Sequence, residues 1–556
     1  MNLWKKPMAL CLSAALSLSV LGGCGSTGGS SDGTVGAARN GTEKTAGSDT
    51  PKTHKLKLLG QQGNNQFLKF AEREEYPVWQ EVQKLLDGAG LQLDYELVPN
   101  EQYKVVVQTR MAAGTNLPDI VNISPLDDAT ALTLAKQGIL KEIGSLIGQY
   151  SDGTIRSTIE KYYANSDGLT TAPDGKKYWF TNLHYKHYNK TETAPVGTTM
   201  LLRKDWMDRL GLAVPTTKEE FFDVVKAFRD SDANGSGKAD EVLVLDPKVF
   251  NNGIAQWFGL GVDLVSVDAT SLKVVTPWYQ DGIKEYFKYM QSLIKAGVLD
   301  STGLANPGET LTQKRAENKL SADYSYGIQT WDEGMTPVKD AAYMPIMPLK
   351  AVDGITPYSV MEPNTLYWDK YAITKDCKDI EGAIRFFDVV HSDRYIELLS
   401  WGIKDSTYYV DENGTKFFKN IVSDEEAAKE RRARGNRLYG GTVFPIIQEA
   451  NLEYELASVP DFKKDYQLQI MKYTPWYSNS NSSYMAMPDD QQLETLSKIL
   501  NNLTTYSQEL STKLILGQSS LEDWDSYLSK FKQLGLDELL SVSQARVDKY
   551  QELLKK

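Results

Sequence analysis

The sequence has few residues that form disulfides or bind transition metals. Only three cysteines and four histidines occur among its 556 residues, so a site built from these side chains has little material. Basic residues are outnumbered as well, because 61 lysines and arginines stand against 73 aspartates and glutamates and leave a net charge of −12. This sign disfavours binding to phosphate backbones, and we expect no nucleic-acid partner. From His54 onward the sequence also lacks a P-loop and a dinucleotide-binding fingerprint.

The first residues have the pattern of a secretory signal. Lys5 and Lys6 precede an uncharged apolar run that begins at Met8 and is too short to span a bilayer comfortably. The run ends in LGGC, and small residues directly before Cys24 resemble the bacterial lipobox. The resemblance implies cleavage after residue 23, thioether lipidation of Cys24 and attachment to the membrane through this lipid. The alternative is an ordinary signal peptide followed by an incidental cysteine.

Residues 24–53 are predicted to be a lipid anchor and a flexible linker. The segment Gly25–Thr53 is rich in Gly, Ser and Thr and has almost nothing apolar to offset the entropy of ordering. A coil of this length holds the folded part roughly 30 Å from the anchor. Of the three cysteines, only Cys24 and Cys377 would remain after cleavage. We therefore expect no disulfide within the chain.

From His54 onward, short apolar runs alternate with helical patterns. HKLKLLG reads as a strand, the stretch after Tyr76 as a helix and LQLDYELV as a second strand, so the order is β-α-β. This alternation predicts an α/β fold with a largely parallel sheet. Further helices are predicted at Lys204–Leu210, Thr217–Asp230 and Gln280–Ala296, and the last seventy residues, from Asp489, are almost wholly helical in pattern.

Several segments, in order, resemble the family 1 extracellular solute-binding proteins of ABC importers. They are Ala112–Val121, Leu134–Ile143, Leu201–Glu241, Ile283–Asp300, Ala372–Asp393 and the tail LEDWDSYLSKFKQLGLDELL. They particularly resemble the large lipoproteins that serve carbohydrate uptake in Gram-positive bacteria. The resemblance covers essentially the whole chain after the linker.

The resemblance implies a two-lobed, periplasmic-binding-protein-like α/β fold with a hinge and a helical C-terminal region. The lobes would be residues 54–183 plus 364–405 and residues 184–363 plus 406–556, with an oligosaccharide bound between them. The chain would cross near Tyr178–Leu183, Asn364–Thr374 and Ile403–Thr407. The expected protein is a monomeric, lipid-anchored receptor on the extracytoplasmic face of the cell membrane. It delivers its ligand to the transmembrane subunits of an ABC permease.

The segment DSDANGSGKADE, Asp230–Glu241, predicts a loop around one structural Ca²⁺. Oxygen-bearing residues alternate with glycines, and hard oxygen ligands favour calcium. An EF-hand register would begin at Asp230 and end at Glu241. The register that resembles the solute-binding family begins at Asp232, and we prefer it because Lys238 then contributes only its carbonyl. Its ligands would be Asp232, Asn234, Ser236, the carbonyl of Lys238, Asp240 and Glu241. The alternative is an ordinary surface turn.

Aromatic and amide side chains are the candidates for contact with a sugar, because ring faces stack on its C–H groups and amides bond its hydroxyls. The candidates are Gln61, Gln62, Asn64, Asn65, Trp257, Tyr324, Tyr326, Trp331, Trp368, Trp476 and Tyr477. For each aromatic residue the alternative is core packing or an exposed surface position. Trp206 and Trp524 have helical spacing among apolar residues and are predicted to be core, and Trp278 is predicted to be a surface anchor.

No residue pattern in the sequence indicates a catalytic site. A glycoside hydrolase needs two suitably spaced carboxylates, but 73 acidic residues always supply a pair. His184 and His187 lack the context of a metal site. Cys377 has neighbouring lysines that favour a lowered pKa, although a partly exposed, inert thiol is the simpler interpretation. We therefore predict no enzyme. The alternatives are a secreted carbohydrate-active enzyme, or the same fold binding a peptide or another polar solute.

Overall fold

The computed structural model describes most of the chain after the linker. The described residues are 52–62, 70–163, 170–186, 196–245, 250, 252–268, 271–325, 341–358, 360–361, 365–419, 447–450, 477–478, 484–553 and 555. Of the predicted site residues, Cys24, Asn64, Asn65, His187, Tyr326, Trp331 and Trp476 lie outside these ranges.

The strands follow in chain order. They are β1 His54–Gln61, β2 Leu91–Val98, β3 Ile120–Asn122, β4 Phe180–Lys186, β5 Val196–Arg203, β6 Val242–Leu243, β7 Ser266–Asp268, β8 Lys273–Val275, β9 Leu320–Ser325, β10 Tyr343–Pro345, β11 Val360–Met361, β12 Thr365–Ile373, β13 Tyr408–Val410, β14 Lys416–Phe418, β15 Ile447–Ala450 and β16 Tyr477–Ser478.

The α-helices begin with α1 Pro77–Gly88, α2 Asn100–Ala113, α3 Asp128–Lys136, α4 Ile143–Tyr150 and α5 Thr154–Tyr163. They continue with α6 Lys204–Leu210, α7 Lys218–Asp230, α8 Ile254–Trp257, α9 Ile283–Lys295 and α10 Pro307–Ala316. The last are α11 Ile380–His391, α12 Asp393–Ser400, α13 Asp490–Ile515, α14 Trp524–Gln533 and α15 Leu536–Leu553. Short 3₁₀ turns cover Phe70–Glu75, Pro277–Tyr279, Ser301–Leu304 and Leu521–Asp523.

The first sheet has six strands in the order β15-β4-β12-β3-β1-β2. Strand β1 runs parallel to β2 and β3, β15 runs parallel to β4, and β12 lies antiparallel between β3 and β4. Successive side chains point to opposite faces of a strand, so Leu58 joins the core under α1, α11 and α12, whereas Leu59 joins the core under α2 and α3. Both faces of this sheet are therefore covered by helices.

The second sheet has the strand order β6-β9-β5-β11-β16-β7-β8, and β10 also pairs with β5. Most of its pairs are antiparallel; β6 with β9 and β11 with β16 are the parallel ones. Its core extends from α6, α7 and α9 to the C-terminal helices α13, α14 and α15. In α9, the buried residues Ile283, Tyr286, Phe287, Met290 and Leu293 recur at helical spacing and fix which face packs on this core.

The α/β class and the helical C-terminal region predicted from the sequence are confirmed, and α6 has the predicted bounds. The prediction of a largely parallel sheet holds for the first sheet, where three of the five strand pairs are parallel, but is wrong for the second sheet, which is mostly antiparallel. Strand β12 returns from the second sheet and runs against its neighbours. Residues Pro51–Lys556 form one compact unit by their contacts, so the two lobes and their boundaries stay a prediction. Strand β15 lies in the first sheet, although the predicted boundaries assign it to the second lobe.

The tryptophans in helical patterns are buried as predicted, but Trp278 is not a surface anchor. Trp206 and Trp524 belong to the core of the second sheet. Trp278 is 1% exposed, and its ring lies 5.8 Å from that of Trp524 and 4.4 Å from that of Phe531. The prediction of surface exposure is wrong because the C-terminal helices, more than 200 residues later in the chain, cover this ring.

Cys377 is buried, and its environment is opposite to that of a reactive thiol. Its side chain belongs to the core under α11. Burial, and then the nearby carboxylate of Asp119, raise the pKa of the thiol to about 12. The interpretations of a lowered pKa and of a partly exposed thiol are therefore both wrong. No helix in the described ranges has the length and apolar character needed to cross a bilayer.

Candidate functional site

The chain crosses from the first sheet to the second and returns at one end of the strands of each sheet. It leaves the first sheet after Lys186, enters the second at Val196, and returns between Met361 and Thr365. The carboxyl ends of β1 and β3 and the beginning of β12 lie at the same edge of the first sheet, because Tyr371 pairs with Asn122. In mixed α/β folds this edge is where ligands bind.

Strand β12 is irregular at this edge. The pairing with β4 shifts between Trp368 and Lys370, and Asp369 between them has a φ of 56°. The side-chain amide of Asn182 donates a hydrogen bond to Asp369 Oδ2 at 2.8 Å. Burial raises the pKa of the Asp369 carboxyl, although hydrogen bonding to Ser124 opposes this shift. Such bulges redirect side chains at sheet edges, and the sequence pattern alone did not single out Asp369.

A small cavity lies at the corresponding end of the second sheet, where β5 begins and β11 ends. It is lined by Thr199, Met200, Gly253, Gln256, Trp257, Tyr324, Ile346, Pro348, Tyr358 and Val360. Its volume is about 10 Å³, which is room for about one water molecule. Pockets for small ligands usually measure roughly 300–1,000 Å³, so this space holds no sugar by itself, and its residues form only a wall at this end of the sheet.

The aromatic part of this wall depends on a glycine. Gly253 has a φ of 76°, and a Cβ atom at this position would lie 2.7 Å from Cδ2 of Tyr324 and 3.1 Å from Cε of Met200. The absence of a side chain therefore lets the Tyr324 ring lie directly on the backbone. Tyr324 itself is half-buried, so part of its ring faces the cavity.

Hydrogen bonds from side chains to the backbone organise the floor of the cavity. The side-chain amide of Gln256 donates to the carbonyl of Phe250 at 2.7 Å, and its oxygen accepts from the amide of Gly253 at 2.9 Å. The Tyr358 hydroxyl donates to the carbonyl of Leu260. Because these polar groups are used internally, the floor presents mainly apolar and ring surfaces. Gln256 and Tyr358 were missed from the sequence, because only folding brings them beside Tyr324.

The predicted ligand residues separate into three groups. Tyr324 and Trp257 meet at the cavity, although Trp257 is only 2% exposed and its ring packs edge-on against Phe221 at 4.9 Å. Tyr477 lies in β16, where its backbone pairs with Val360 of the cavity wall. Further predicted residues lie on the first sheet, with Gln61 at the end of β1, the exposed Gln62 after it, and Trp368 in β12. Contact of any of them with a ligand stays a prediction.

The predicted metal loop, residues 232–241, gathers oxygen atoms around Ser236. Its hydroxyl lies 3.1 Å from Asp240 Oδ1, 3.4 Å from Asp232 Oδ1 and 3.4 Å from the carbonyl oxygen of Lys238. A hydroxyl has one proton to donate, so it can form a hydrogen bond with only one of these three oxygen atoms at a time. A hard cation is the group that such a set of oxygens favours.

The carboxylates of this loop also influence one another. Glu241 is fully buried, and burial raises its pKa although backbone hydrogen bonds oppose this shift; the charges of Asp240 and Asp232 add to it. For Asp240, burial alone would raise the pKa, but hydrogen bonds from Asn234, the Lys319 ammonium and Ser236 together lower it. Lys319 Nζ lies 3.3 Å from Asp240 Oδ2, so one positive charge already faces the loop from the residue before β9.

The two proposed ligand registers differ in where their first carboxylate lies. Asp230 ends α7 and forms an ion pair with Lys226 one turn earlier, on the exposed side of the helix. Asp232 instead accepts a hydrogen bond from the amide of Gly237 at 2.8 Å, inside the loop. This geometry favours the register that begins at Asp232.

The described residues contain no group of three or more His, Cys, Asp and Glu side chains arranged to hold a metal ion. The predicted loop is not such a group, because its oxygen atoms come from a hydroxyl, an amide and a carbonyl as well as from carboxylates. Both oxygens of Glu241 accept from backbone amides, those of Asn234 at 2.8 Å and Asp240 at 3.2 Å. The oxygen atoms around Ser236 fit calcium, whereas Glu241 holds the backbone of the loop in place.

Of the two histidines considered in the sequence, His184 lies in β4, opposite Leu366.

Comparison with known proteins gives the fold a context. No family model matches the chain. The fructooligosaccharide ABC transporter substrate-binding protein FusA of Streptococcus pneumoniae serotype 4 is 23% identical over 486 residues, which are 84% of this chain and 87% of FusA. The polygalacturonan/rhamnogalacturonan-binding protein YtcQ of Bacillus subtilis is 24% identical over 59% of this chain and 62% of YtcQ. The chain shares the fold of ABC-transporter substrate-binding proteins. The resemblance predicted from the sequence is thereby confirmed.

Solved structures of such substrate-binding proteins overlay on nearly all of the chain. FusA in complex with kestose aligns with a TM-score of 0.68 at 19% identity and covers 90% of this chain and 100% of its own. The alginate-binding protein AlgQ2, solved without calcium ion, aligns with a TM-score of 0.66 at 20% identity over 90% of this chain and 99% of its own. A FusA EF-hand mutant with bound fructo-nystose also aligns at 0.68, over the same shares of the two chains.

Proposed function

We propose that the chain is the extracytoplasmic substrate-binding receptor of an ABC importer and that it binds an oligosaccharide without altering it. The observation that carries this proposal is the match to a fructooligosaccharide-binding receptor over 84% of the chain. The substrate-binding fold and the alignment with FusA in complex with kestose support it. The ligand lies between the edges of the two sheets, and closure around it signals to the permease that the receptor is loaded.

The cavity wall suits a sugar. Tyr324 offers part of a ring face, and the internally bonded floor around Gln256 supplies apolar surface for C–H groups. On the first sheet, the exposed amide of Gln62 and the edge around Asp369 offer groups that bond hydroxyls. Stacking on one side and directed hydrogen bonds on the other are what sugar recognition requires.

Replacing Tyr324 with alanine is expected to weaken oligosaccharide binding about tenfold, which corresponds to about 1.4 kcal/mol. The reason is the loss of the ring surface that would stack on the sugar, since the neighbouring Gly253 has no side chain to replace it. Isothermal titration with kestose and longer fructooligosaccharides, and with other oligosaccharides of equal length, measures the affinity. Tyr150→Ala is the matched control, because Tyr150 is an exposed tyrosine at the end of α4, and it should bind like the unmodified chain.

The same titration decides between the classes of function. Peptides of similar size should give no heat of binding, and the recovered oligosaccharide should show no new reducing ends after prolonged incubation. Binding of peptides alone would replace the proposed ligand class. Release of reducing ends would establish an enzyme and overturn the proposal of an unreactive receptor.

We also propose that the loop of residues 232–241 binds one structural Ca²⁺ through Asp232, Asn234, Ser236, Asp240 and the carbonyl of Lys238. Glu241, the sixth predicted ligand, instead supports the loop through the amides of Asn234 and Asp240. A FusA EF-hand mutant and AlgQ2 studied without calcium are among the similar structures. The ion would neutralise carboxylates that now rely on Ser236 and Lys319. Its role is structural, since no residue of the loop lines the cavity beside Tyr324.

Asp240→Asn is expected to weaken calcium affinity about tenfold, or about 1.4 kcal/mol, because one negative charge leaves the ligand set. Thermal unfolding in calcium and in chelator measures this effect, since an ion that binds only the folded state raises its melting temperature. Asp230→Asn is the matched control, as Asp230 pairs with Lys226 outside the loop. Equal calcium responses of the two variants would contradict the register that begins at Asp232. Sugar affinity should not change in either variant.

The proposed receptor is monomeric and attached to the membrane through a lipid on Cys24. The LGGC motif of the sequence supports the lipid, and its position after a signal segment supports the extracytoplasmic location. Residues 24–53 then act as the linker between membrane and receptor. The permease subunits are the protein partners.

A further inference from the structure

Helix α13 contacts the cores of both sheets. Leu496, Leu503, Leu510 and Leu514 belong to the core of the second sheet. At the other end of the helix, Leu493 and the preceding Met487 pack against the core between the first sheet and α3. Lys136 of α3 forms an ion pair with Asp490 in the first turn of α13. One helix of the C-terminal region therefore bridges the two layers.

Helix α15 makes a second bridge two turns from its end. Gln544 accepts a hydrogen bond from the amide of Val274 at 2.9 Å, which ties the helix to β8 of the second sheet. Arg546 points to α3, which packs on the first sheet, and its guanidinium lies 3.9 Å from Asp128. Its Nε also donates to the carbonyl of Ala486 at 2.8 Å, so the guanidinium is held in place.

Asp128 is the centre of this contact. It begins α3, which follows the carboxyl end of β3 after a short loop, and it pairs with Lys370 of β12 at 2.6 Å. The Lys370 ammonium also donates to the carbonyl of Leu126 at 3.1 Å. Both cations are well shielded, since the side chains of Lys370 and Arg546 are 20% and 13% exposed. The Asp128 carboxylate thus lies between two shielded cations, at 2.6 Å from Lys370 and at 3.9 Å from Arg546.

The cluster lies close to the segment in which the chain returns from the second sheet to the first, and this position indicates its role. Lys370 lies in the strand that begins at Thr365, directly after the chain returns from the second sheet. When two bodies rotate about their connections, contacts beside those connections move least. We propose that Asp128, Lys370 and Arg546, which we call the Asp128 junction, form a noncovalent pivot that stays intact in both the open and the closed arrangement. This inference rests on the proposed receptor function.

A pivot and a latch have different thermodynamic consequences. A contact that is present in both arrangements contributes equally to both, so its loss leaves ligand affinity unchanged and lowers only stability. A latch that forms in one arrangement alone changes the affinity when it is removed, in a direction that depends on which arrangement it favours. The two possibilities are therefore separated by measuring stability and affinity in the same variants.

The experiment uses the full chain with Asp128→Asn, Arg546→Gln and the double variant. Each single variant should lower the melting temperature by about 2–4 °C, and the double variant should lose clearly less than the sum, because the residues act as one unit. The dissociation constant for the oligosaccharide identified by titration should stay within about twofold. Glu494→Gln is the matched control, since it breaks an exposed ion pair with Lys498 on the same helix as Asp490, and it should leave both values unchanged.

A change in affinity of more than about fivefold in either single variant would overturn the pivot and show a contact that breaks during the cycle. Additive losses of melting temperature would overturn the junction itself, and this readout needs no ligand. An unmodified chain that binds no oligosaccharide would instead reject the proposed function. The two failures are thus distinguishable.

Discussion

Trp278→Ala is expected to destabilise the folded chain by about 3–5 kcal/mol, the usual cost of truncating a large buried aromatic side chain. The ring is surrounded by Phe250, Phe287, Trp524 and Phe531, with centroid distances from 4.4 to 5.9 Å. Its Nε1 donates to Ser507 Oγ at 2.9 Å. Removing it leaves a cavity between α9 and the C-terminal helices and an unpaired hydroxyl. Urea unfolding at neutral pH measures the loss.

The next residue provides a matched control for this prediction. Tyr279 is 40% exposed, and its hydroxyl donates to Asp537 at 2.7 Å. Tyr279→Phe removes that bond on the surface and should cost less than about 1 kcal/mol. Trp278→Phe, which keeps an aromatic ring, should fall between the two. A loss below about 1 kcal/mol for Trp278→Ala would mean that the C-terminal helices do not close over this ring.

Between pH 7 and pH 5 the chain is expected to lose about 2 kcal/mol of stability through His391 alone. His391 is buried, and burial lowers its pKa to about 4, although a bond to the carbonyl of Phe387 partly opposes this shift. The folded state thus keeps the ring neutral, while the unfolded state takes up a proton once the pH falls below about 6.5. The stability is therefore complete above pH 6.5 and is lost progressively down to pH 4.

The variant His391→Gln removes the titrating group and keeps a donor for the Phe387 carbonyl, which lies 2.7 Å from Nδ1. Its loss of stability between pH 7 and pH 5 should be smaller than that of the unmodified chain by about 2 kcal/mol. Thr158→Val is the control, since the Thr158 hydroxyl donates to the His391 carbonyl at 2.6 Å but does not titrate. It should lower stability equally at both pH values. An unchanged pH dependence in His391→Gln would contradict a buried, neutral imidazole.

The candidate site could be predicted from the sequence only in part. Tyr324 and Trp257 were identified by residue type, but type does not tell a ring at a cavity from a ring in the core, and Trp257 is mostly core. Gln256 and Asp369 were missed because nothing in their neighbouring residues marks them. Their roles depend on a bulge and on a close approach of backbones, which form only when distant segments pair.

Local pattern by itself determined the α/β class, the helical C-terminal region and the position of the oxygen-rich loop. These features depend on residues that are close in sequence, such as the apolar spacing of α9 or the glycines between Asp232 and Asp240. Tertiary structure alone decided the burial of Trp278 and Cys377, the mixed direction of the sheets and the bridge from Arg546 to Asp128. Each of these joins segments far apart in the chain, and burial and charge pairing depend on neighbours in space that no local pattern specifies.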